Sequence, residues 1–280
     1  MKTVNFYLLI LFFTMTSVTM MAQMSVMSYN IKYANEKDGE NSWSQRKEHL
    51  TNQIKFYEPD IFGVQEAVLK QLEHFQQNLE GYDYVGVGRD DGKKKGEFSA
   101  VFYKKDQFEL LEEDTFWLSE TPRKPSKGWD AAYPRVCTLA LFEKKDSGEK
   151  FYVFNTHFDH VGEEAREQSA QLIIKEIERI NDEDLPVVLM GDLNLEPEAK
   201  PIQYLSGQMN DSKKTAEKLV FGPEGTFNGY NFKEPVNRRI DYIFTTDDFQ
   251  VQKYAVLSDS KNLKYPSDHL PVLVTLHLKN

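Results

Sequence analysis

Several residue types are scarce in this sequence, and each scarcity excludes a class of protein. A single cysteine, Cys137, stands among 280 residues, so an intrachain disulfide and a multi-cysteine zinc cluster are both excluded. Glycine and proline number only 15 and 11, beside 19 phenylalanines and 14 tyrosines, which excludes a collagen-like, low-complexity or disordered chain. Basic residues number 34 against 44 acidic ones. The resulting net charge of −10 argues against a wide basic groove for long nucleic acid.

The N-terminal segment lacks charge over a long stretch, because no charged residue occurs between Lys2 and Lys32. Residues 4–18 form an apolar run that is too short to span a bilayer comfortably. Small and polar residues follow it up to Ala22, which predicts a secretory signal peptide at residues 1–22, cleaved near Ala22. An uncleaved anchor or a buried first strand is the alternative. With no disulfide to rely on, the mature protein is expected in a bacterial periplasm or outside the cell.

The remaining chain, residues 23–280, is predicted to be one α/β domain. No linker rich in glycine, proline or serine divides it, and its length fits a single domain. Both halves open with a strand, a helix and a second strand, which predicts two sheets packed face to face with helices outside. These openings are at 25–31, 44–58 and 61–64, and at 151–156, 165–180 and 187–190. Further patterns predict helices at 69–79 and around 202–205, and strands at 82–87, 99–103, 108–118, 136–142, 240–244, 249–257 and 272–278.

Polar side chains stand where several of these apolar runs end. Polar groups at strand ends gather on one rim of a sheet, where a rigid scaffold aims them at one substrate. Carboxylate and amide oxygens are ligands that Mg²⁺ and Mn²⁺ prefer, and histidines serve as acid, base or transition-state stabiliser. The motifs concerned are Tyr29-Asn30, Gln65-Glu66, Asn155-Thr156-His157, Gly191-Asp192-Leu193-Asn194, Asp241 and Ser267-Asp268-His269.

Each of these motifs alone has an ordinary explanation. A glutamate at a strand end is usually solvated, and Gly, Asp and Asn are common turn residues. Six such ends in this order are much harder to attribute to coincidence. The set as a whole therefore predicts a catalytic rim.

Together with Arg239-Ile240-Asp241-Tyr242-Ile243-Phe244, these motifs resemble the endonuclease/exonuclease/phosphatase superfamily, which has the DNase I-like fold. The resemblance extends from Met24 to Leu278, and stretches such as Gly88-Arg89-Asp90-Asp91-Gly92 resemble a secreted bacterial group near the deadenylase branch. It implies a four-layer α-β-β-α sandwich. In that fold two mixed, mostly antiparallel sheets pack face to face, and the site lies at one end of both sheets.

The resemblance also implies a metal site and a position for the attacking water. Asn30, Glu66 and Asp268 would contribute to binding a divalent metal, Mg²⁺ or Mn²⁺. Asp192 would activate or position the water, and Asn194 would hold a phosphate oxygen. Carboxylates gathered in this way would repel one another without a cation.

The remaining implied roles concern the phosphate and the rest of the substrate. His269 would stabilise the transition state with Asp241 as its carboxylate partner, and His157 would contact the phosphate while paired with Glu97. Substrate or phosphate binding is expected of the following residues: Arg89, Trp129, Tyr133 and Arg135. The two aromatic residues among them could stack on a base or a sugar, although packing in the core is the more common use of such residues.

The expected reaction is in-line attack of water on phosphorus, with a metal neutralising charge. A phosphodiesterase or nuclease, such as an RNA 3′–5′ exonuclease, is the preferred expectation. A phosphomonoesterase acting on a sugar, inositol or nucleotide phosphate remains open, as does a binding protein that has lost catalysis, although no site residue is missing. The fold does not name the substrate. We expect a monomer whose partner is its phosphate ester, without an obligate protein partner or a stable membrane anchor.

Overall fold

The computed structural model describes residues 23–279, so the predicted signal peptide lies outside the described residues. Within that range, no helix is long and apolar enough to cross a membrane. The elements in chain order are β1 (Met24–Asn30), a 3₁₀ helix (Glu36–Asn41), α1 (Trp43–Tyr57), β2 (Ile61–Ala67), α2 (Leu69–Asn78), β3 (Tyr82–Val85), β4 (Phe98–Lys104), β5 (Phe108–Trp117), β6 (Val136–Lys144), β7 (Lys150–His157), α3 (Glu163–Ile180), β8 (Val187–Asp192), α4 (Lys200–Gln208), β9 (Asn210–Asp211), α5 (Ser212–Thr215), β10 (Leu219–Phe221), β11 (Asp241–Thr245), β12 (Phe249–Val256) and β13 (Val272–Leu278).

The strands of the described chain form two mixed sheets. One sheet has seven strands in the order β10-β12-β13-β1-β2-β4-β3, and the other has six in the order β5-β6-β7-β8-β11-β9. Most neighbours are antiparallel, but each sheet contains an internal parallel pair, β1 with β2 and β7 with β8. Since the two strands of a parallel pair end at the same edge of their sheet, the residues at the ends of each pair are brought together.

Apolar clusters separate the layers of the sandwich. The cluster between the two sheets includes Val26 and Val101 from one sheet and Phe142 and Val188 from the other. A second cluster packs α1 and α2 on the outer face of the seven-stranded sheet, and a third packs α3 and α4 on the six-stranded sheet. The order helix, sheet, sheet, helix confirms the predicted four-layer α-β-β-α sandwich.

Every predicted helix and strand appears, with ends that differ by a few residues. The elements that the sequence does not predict are short: the 3₁₀ helix, β9, α5 and β10. The β10 residues Leu219, Val220 and Phe221 are all exposed at the edge of the seven-stranded sheet. Because no buried face imposes an alternating pattern there, the sequence carries no strand signal.

Candidate active site

A cleft opens at the end of the two sheets where β1, β2, β7 and β8 terminate. Its volume is about 510 Å³, and residues of both sheets and their loops line it. The predicted site residues that line the cleft are Glu66, Arg89, Glu97, Arg135, His157, Asp192, Asn194, Asp268 and His269. The structure therefore collects in one place most of the residues singled out in the sequence.

Strand register accounts for the centre of this cleft. β8 lies between β7 and β11, and the residue pairing puts Asp192 opposite His157 on one side and opposite Asp241 on the other. All three side chains are buried. Three chemically active groups from distant parts of the sequence thus become direct neighbours through backbone pairing alone.

Glu66 points into the cleft from an unusual backbone conformation. Its φ is 60°, and the pairing of β2 with β4 is irregular between Val64 and Ala67. A bulge of this kind redirects a side chain, and left-handed φ is uncommon for glutamate. Burial alone would raise the pKa of Glu66, but Lys32, His269 and hydrogen bonds lower it, so the carboxylate is charged.

Asn30 joins the two sheets across the bottom of the cleft. Its Nδ2 donates to Asp192 Oδ2 at 2.8 Å and to Glu66 Oε1 at 3.2 Å, while its Oδ1 accepts from the backbone N of Lys32 at 3.0 Å. The amide nitrogen, and not the oxygen, therefore faces the acids. Asn30 thus lies beside Glu66, as the resemblance implied, and its amide holds the two carboxylates of Glu66 and Asp192 together.

Asp192 occupies the middle of the site. Its Oδ1 accepts from the backbone N of Asn194 at 2.9 Å, and its Oδ2 lies 3.4 Å from His157 Nε2 and 3.7 Å from His269 Nε2. Burial, followed by the neighbouring Asp241, raises the pKa of Asp192 to about 7. A carboxylate with a pKa near neutrality is well suited to accept a proton from water.

His269 and Asp241 form the carboxylate–histidine pair that the resemblance implied. His269 Nδ1 lies 2.9 Å from Asp241 Oδ2, and the Thr226 hydroxyl donates to the same oxygen. Burial would lower the pKa of His269, but Asp241 and Asp192 raise it to about 10. The ring is therefore an imidazolium with Nδ1–H bound to Asp241, and its Nε2–H remains available as a donor.

His157 has a different partner from the one implied by the resemblance. Its Nε2 accepts from Asn194 Nδ2 at 3.0 Å, whereas Glu97 accepts two hydrogen bonds from Arg89, at 2.7 and 3.0 Å. Burial first, and then the charges of Arg135 and Arg89, lower the pKa of His157 far below its usual value. A neutral imidazole attracts a carboxylate much less than a guanidinium does, which explains why Glu97 pairs with the arginine.

The basic side of the cleft consists of Arg89, Arg135 and His160, here termed the basic wall. Arg135 is buried, with its Nε 3.4 Å from Asp159 Oδ2 and one terminal nitrogen 3.1 Å from His160 Nδ1. Its other terminal nitrogen is buried and has no hydrogen-bond partner among residues 23–279. Such a donor suits the oxygen of a bound anion.

Of the two aromatic residues expected to contact substrate, only Tyr133 lines the cleft. Its side chain is 52% exposed, its ring stacks on His160 at 6.0 Å, and the Arg89 guanidinium lies 5.2 Å from its centre. Trp129 is not part of the lining. The segment that carries Trp129 is held against the first turn of α3, because the neighbouring Asp130 accepts hydrogen bonds from the backbone there.

The oxygen donors of the cleft fit a hard divalent cation. Glu66, Asp192 and Asp268, here termed the acidic floor, all present carboxylates to it, and such ligands suit Mg²⁺ or Mn²⁺. Asp192, Asp241 and His269 also bring ligand atoms within 4.8 Å of one another. Because His269 Nδ1 is bound to Asp241, this second group is arranged for proton transfer, and the acidic floor offers the more suitable oxygen set.

Two supporting residues lie outside every motif found in the sequence. Arg46 of α1 donates to the backbone carbonyls of Ile31, Lys32 and Pro266, and so fixes the segments that carry Lys32 and Asp268. The Thr226 hydroxyl fixes Asp241 by donating to Asp241 Oδ2 and by accepting from the backbone N of Ile240 and of Asp241, both at 3.1 Å. An arginine in a helix and a threonine in a loop have no pattern that reveals such roles. The position of His160 could have been predicted from the sequence, because it comes shortly after the end of β7, as the motif residues come at the ends of their strands.

Comparison with known proteins agrees with this geometry. A family model described as the endonuclease/exonuclease/phosphatase family matches residues 27–269. A solved structure of a family protein from Bacteroides thetaiotaomicron is 39% identical, covers 93% of this chain and 99% of that chain, and has a TM-score of 0.89. The mannosyl-6-phosphatase of Bacteroides thetaiotaomicron is 40% identical, covers 90% of this chain and 99% of that chain, and has a TM-score of 0.87.

A more distant relative is the 3′–5′-exoribonuclease subunit Ccr4 of the CCR4-Not complex from Mycosarcoma maydis. It is 24% identical over 311 residues, which cover 85% of this chain but 46% of that protein. The chain thus spans about half the length of this curated relative. The likeness at this distance leaves the substrate open.

Proposed function

This chain belongs to the endonuclease/exonuclease/phosphatase family of phosphoesterases, and on that premise we propose that it is a divalent-metal-dependent phosphomonoesterase acting on a small polar molecule such as a sugar phosphate. The observation that carries the proposal is the basic wall, in which a buried guanidinium nitrogen of Arg135 lacks a protein partner. Arg135 lines the same cleft as the acidic floor.

The hydrogen-bond donors of the cleft support a small monoester as substrate. A phosphomonoester presents three terminal oxygens as acceptors, one more than a diester, and the lining supplies the guanidinium groups of Arg89 and Arg135. The whole chain has a net charge of −10, which disfavours a long polyanion. The 40% identity to a protein named mannosyl-6-phosphatase over 90% of this chain supports the same substrate class.

Members of the family generally use divalent metals, and the acidic floor would hold the ion. When bound, a divalent cation would act as a Lewis acid that polarises the phosphoryl group. The Glu66 carboxylate is negatively charged, and the Asn30 amide holds it close to the Asp192 carboxylate. The floor thus provides fixed oxygen ligands before any substrate arrives.

The protein groups divide the remaining chemistry between them. Asp192, whose Oδ2 lies near both His157 and His269, accepts a proton from the attacking water, and the ester oxygen leaves as the alcohol with a proton from solvent. The His269 imidazolium donates from Nε2 as charge develops on the phosphoryl oxygens, while Asp241 holds its orientation. The guanidinium of Arg135 donates to the phosphate, and neutral His157 accepts from Asn194 Nδ2 and so fixes that amide at the edge of the cleft.

A phosphodiesterase is the second candidate, because three aromatic side chains, Tyr33, Tyr133 and Phe227, line the cleft. Aromatic rings at such a site stack on bases. The relative named as a 3′–5′ exoribonuclease supports this alternative. Its low identity to this chain makes the support weaker than that for the monoesterase.

The test is a substrate panel with metal-stripped protein, with Mg²⁺ or Mn²⁺ added back. It compares mannose 6-phosphate, p-nitrophenyl phosphate, bis-p-nitrophenyl phosphate and oligoadenylate. We expect metal-dependent phosphate release from the two monoesters, abolished by EDTA and by Asp192→Asn. Shortening of oligoadenylate without release from monoesters would support the second candidate, and full activity in chelator would contradict metal dependence. No turnover with any metal would favour a binding protein on this fold.

A further inference from the structure

Lys32 puts a positive charge between two carboxylates of the acidic floor. Its Nζ lies 3.4 Å from Asp268 Oδ2 and 3.6 Å from Glu66 Oε2. Glu66 belongs to β2, Asp268 to the loop before β13, and Lys32 follows β1. One ammonium group therefore connects three segments that meet at the cleft.

The backbone of Lys32 is firmly held at this position. Its φ is 53°, in the left-handed region that is uncommon for residues other than glycine. Its N–H donates to Asn30 Oδ1 at 3.0 Å, and its carbonyl accepts from Gln71 Nε2 at 2.9 Å and from the Arg46 guanidinium. With the backbone fixed, the flexible side chain alone decides where the charge lies.

We propose that Lys32 is the internal counter-ion of the metal site, whose ammonium neutralises Glu66 and Asp268 in the metal-free protein and competes with the divalent cation for them. This inference rests on the proposed metal dependence. Two carboxylates that face one cleft repel each other unless a cation lies between them. The lysine supplies that cation from within the chain, at the point where these two acids come together.

The competition has two measurable consequences. A divalent cation that binds Glu66 and Asp268 must displace the ammonium or accept its repulsion, so Lys32 weakens metal binding. In the absence of metal the same charge stabilises the arrangement of the acids. Removing the charge should therefore strengthen metal binding and weaken the metal-free fold, two opposite effects that loss of a purely structural side chain would not produce.

The experiment compares the wild-type chain with Lys32→Met by calorimetric titration with Mn²⁺ alone and by thermal melting in EDTA. Methionine keeps most of the apolar stem and meets the same backbone strain as lysine. We expect Mn²⁺ to bind about 10-fold more tightly to the variant. The melting temperature in EDTA should fall, and Mn²⁺ should raise it by more than in the wild type. Lys32→Gln serves as a second neutral variant with the same expectations if the first does not fold.

Lys104→Met is the matched control. Its Nζ lies 2.9 Å from Asp60 Oδ1, and the pair is similarly shielded, but it sits at the opposite end of β2 from Glu66. This variant should lower the melting temperature without changing the Kd for Mn²⁺. Unchanged or weaker Mn²⁺ binding in both Lys32 variants would overturn the counter-ion role alone. A wild-type chain that binds no Mn²⁺ would overturn the proposed metal dependence and, with it, this inference.

Discussion

The acidic floor and the basic wall line the same cleft but balance their charges differently. In the wall, Arg89 is paired with Glu97 and Arg135 with Asp159, so each guanidinium has its own carboxylate. In the floor, Glu66 and Asp268 share one ammonium, that of Lys32. The floor therefore retains an excess of negative charge that attracts a cation, whereas the wall offers directed hydrogen-bond donors with little net charge.

This contrast separates two kinds of function. The surplus of negative charge in the floor binds a cation. One cation can replace another there, as a metal would replace the Lys32 ammonium. Balanced pairs hold side chains rigidly and recognise a phosphate by the geometry of its oxygens. Variants of the floor and of the groups around Asp192 should therefore change kcat or metal affinity, while variants of the wall should change substrate binding.

The largest effect is expected at the centre of the site, with His269→Ala. Its imidazolium interacts most strongly as charge develops on the phosphoryl oxygens, so the loss should fall on kcat and not on KM. We expect a decrease in kcat of roughly 10²–10⁴-fold, measured in steady state with any accepted phosphate ester. A negligible effect would remove His269 from the mechanism.

Asp241→Asn extends this prediction through a double-mutant cycle on kcat. The carboxylate acts through His269, which it holds at 2.9 Å, so the single variant should do less than His269→Ala. In the double variant the aspartate should add little, since the two side chains work as one unit. Multiplicative losses would show that the pair does not act together.

A smaller effect, and one of a different kind, is expected from the basic wall with Arg135→Met. The variant removes the buried donor that is proposed to hold phosphate, and we expect kcat/KM to fall roughly 10- to 100-fold, mostly through KM. Asp159 keeps hydrogen bonds from the backbone N of Val161 and of Gly162, so the fold should persist. The Kd for Mn²⁺ should not change, and a large change would show that floor and wall are not separate.

The sequence predicted the floor better than the wall, for a physical reason. Residues such as Asp192 and Glu66 stand at the ends of strands, and the apolar pattern of a strand reveals where its end lies. Residues of the wall lie in loops, whose conformation depends on tertiary contacts. The pairing of Glu97 with Arg89 instead of His157, and the exclusion of Trp129 from the cleft, follow from such contacts and could not be predicted.

The difference between Tyr133 and Trp129 offers a sharper test of the wall. Tyr133→Ala removes a half-exposed ring that lines the cleft, and kcat/KM for mannose 6-phosphate should fall about 3- to 10-fold. Trp129→Ala is the matched control, since it removes a larger ring outside the cleft lining and should leave kcat/KM nearly unchanged. If the tryptophan variant lost more activity than the tyrosine variant, the assignment of Tyr133 to the substrate-binding side of the cleft would be wrong.

The smallest effect on activity is expected from Cys137→Ala. Cys137 comes two positions after Arg135 but belongs to neither the floor nor the wall, because its side chain is fully buried in the cluster beneath α3 and α4. Burial raises the pKa of its thiol, so the group stays protonated and unreactive. The variant should lower the free energy of unfolding by about 1 kcal/mol through lost packing, measured by denaturant titration, while kcat/KM stays within about 3-fold. Loss of most turnover in a folded variant would contradict this prediction. It would show that catalysis in the cleft depends on the packing of the core cluster that contains Cys137.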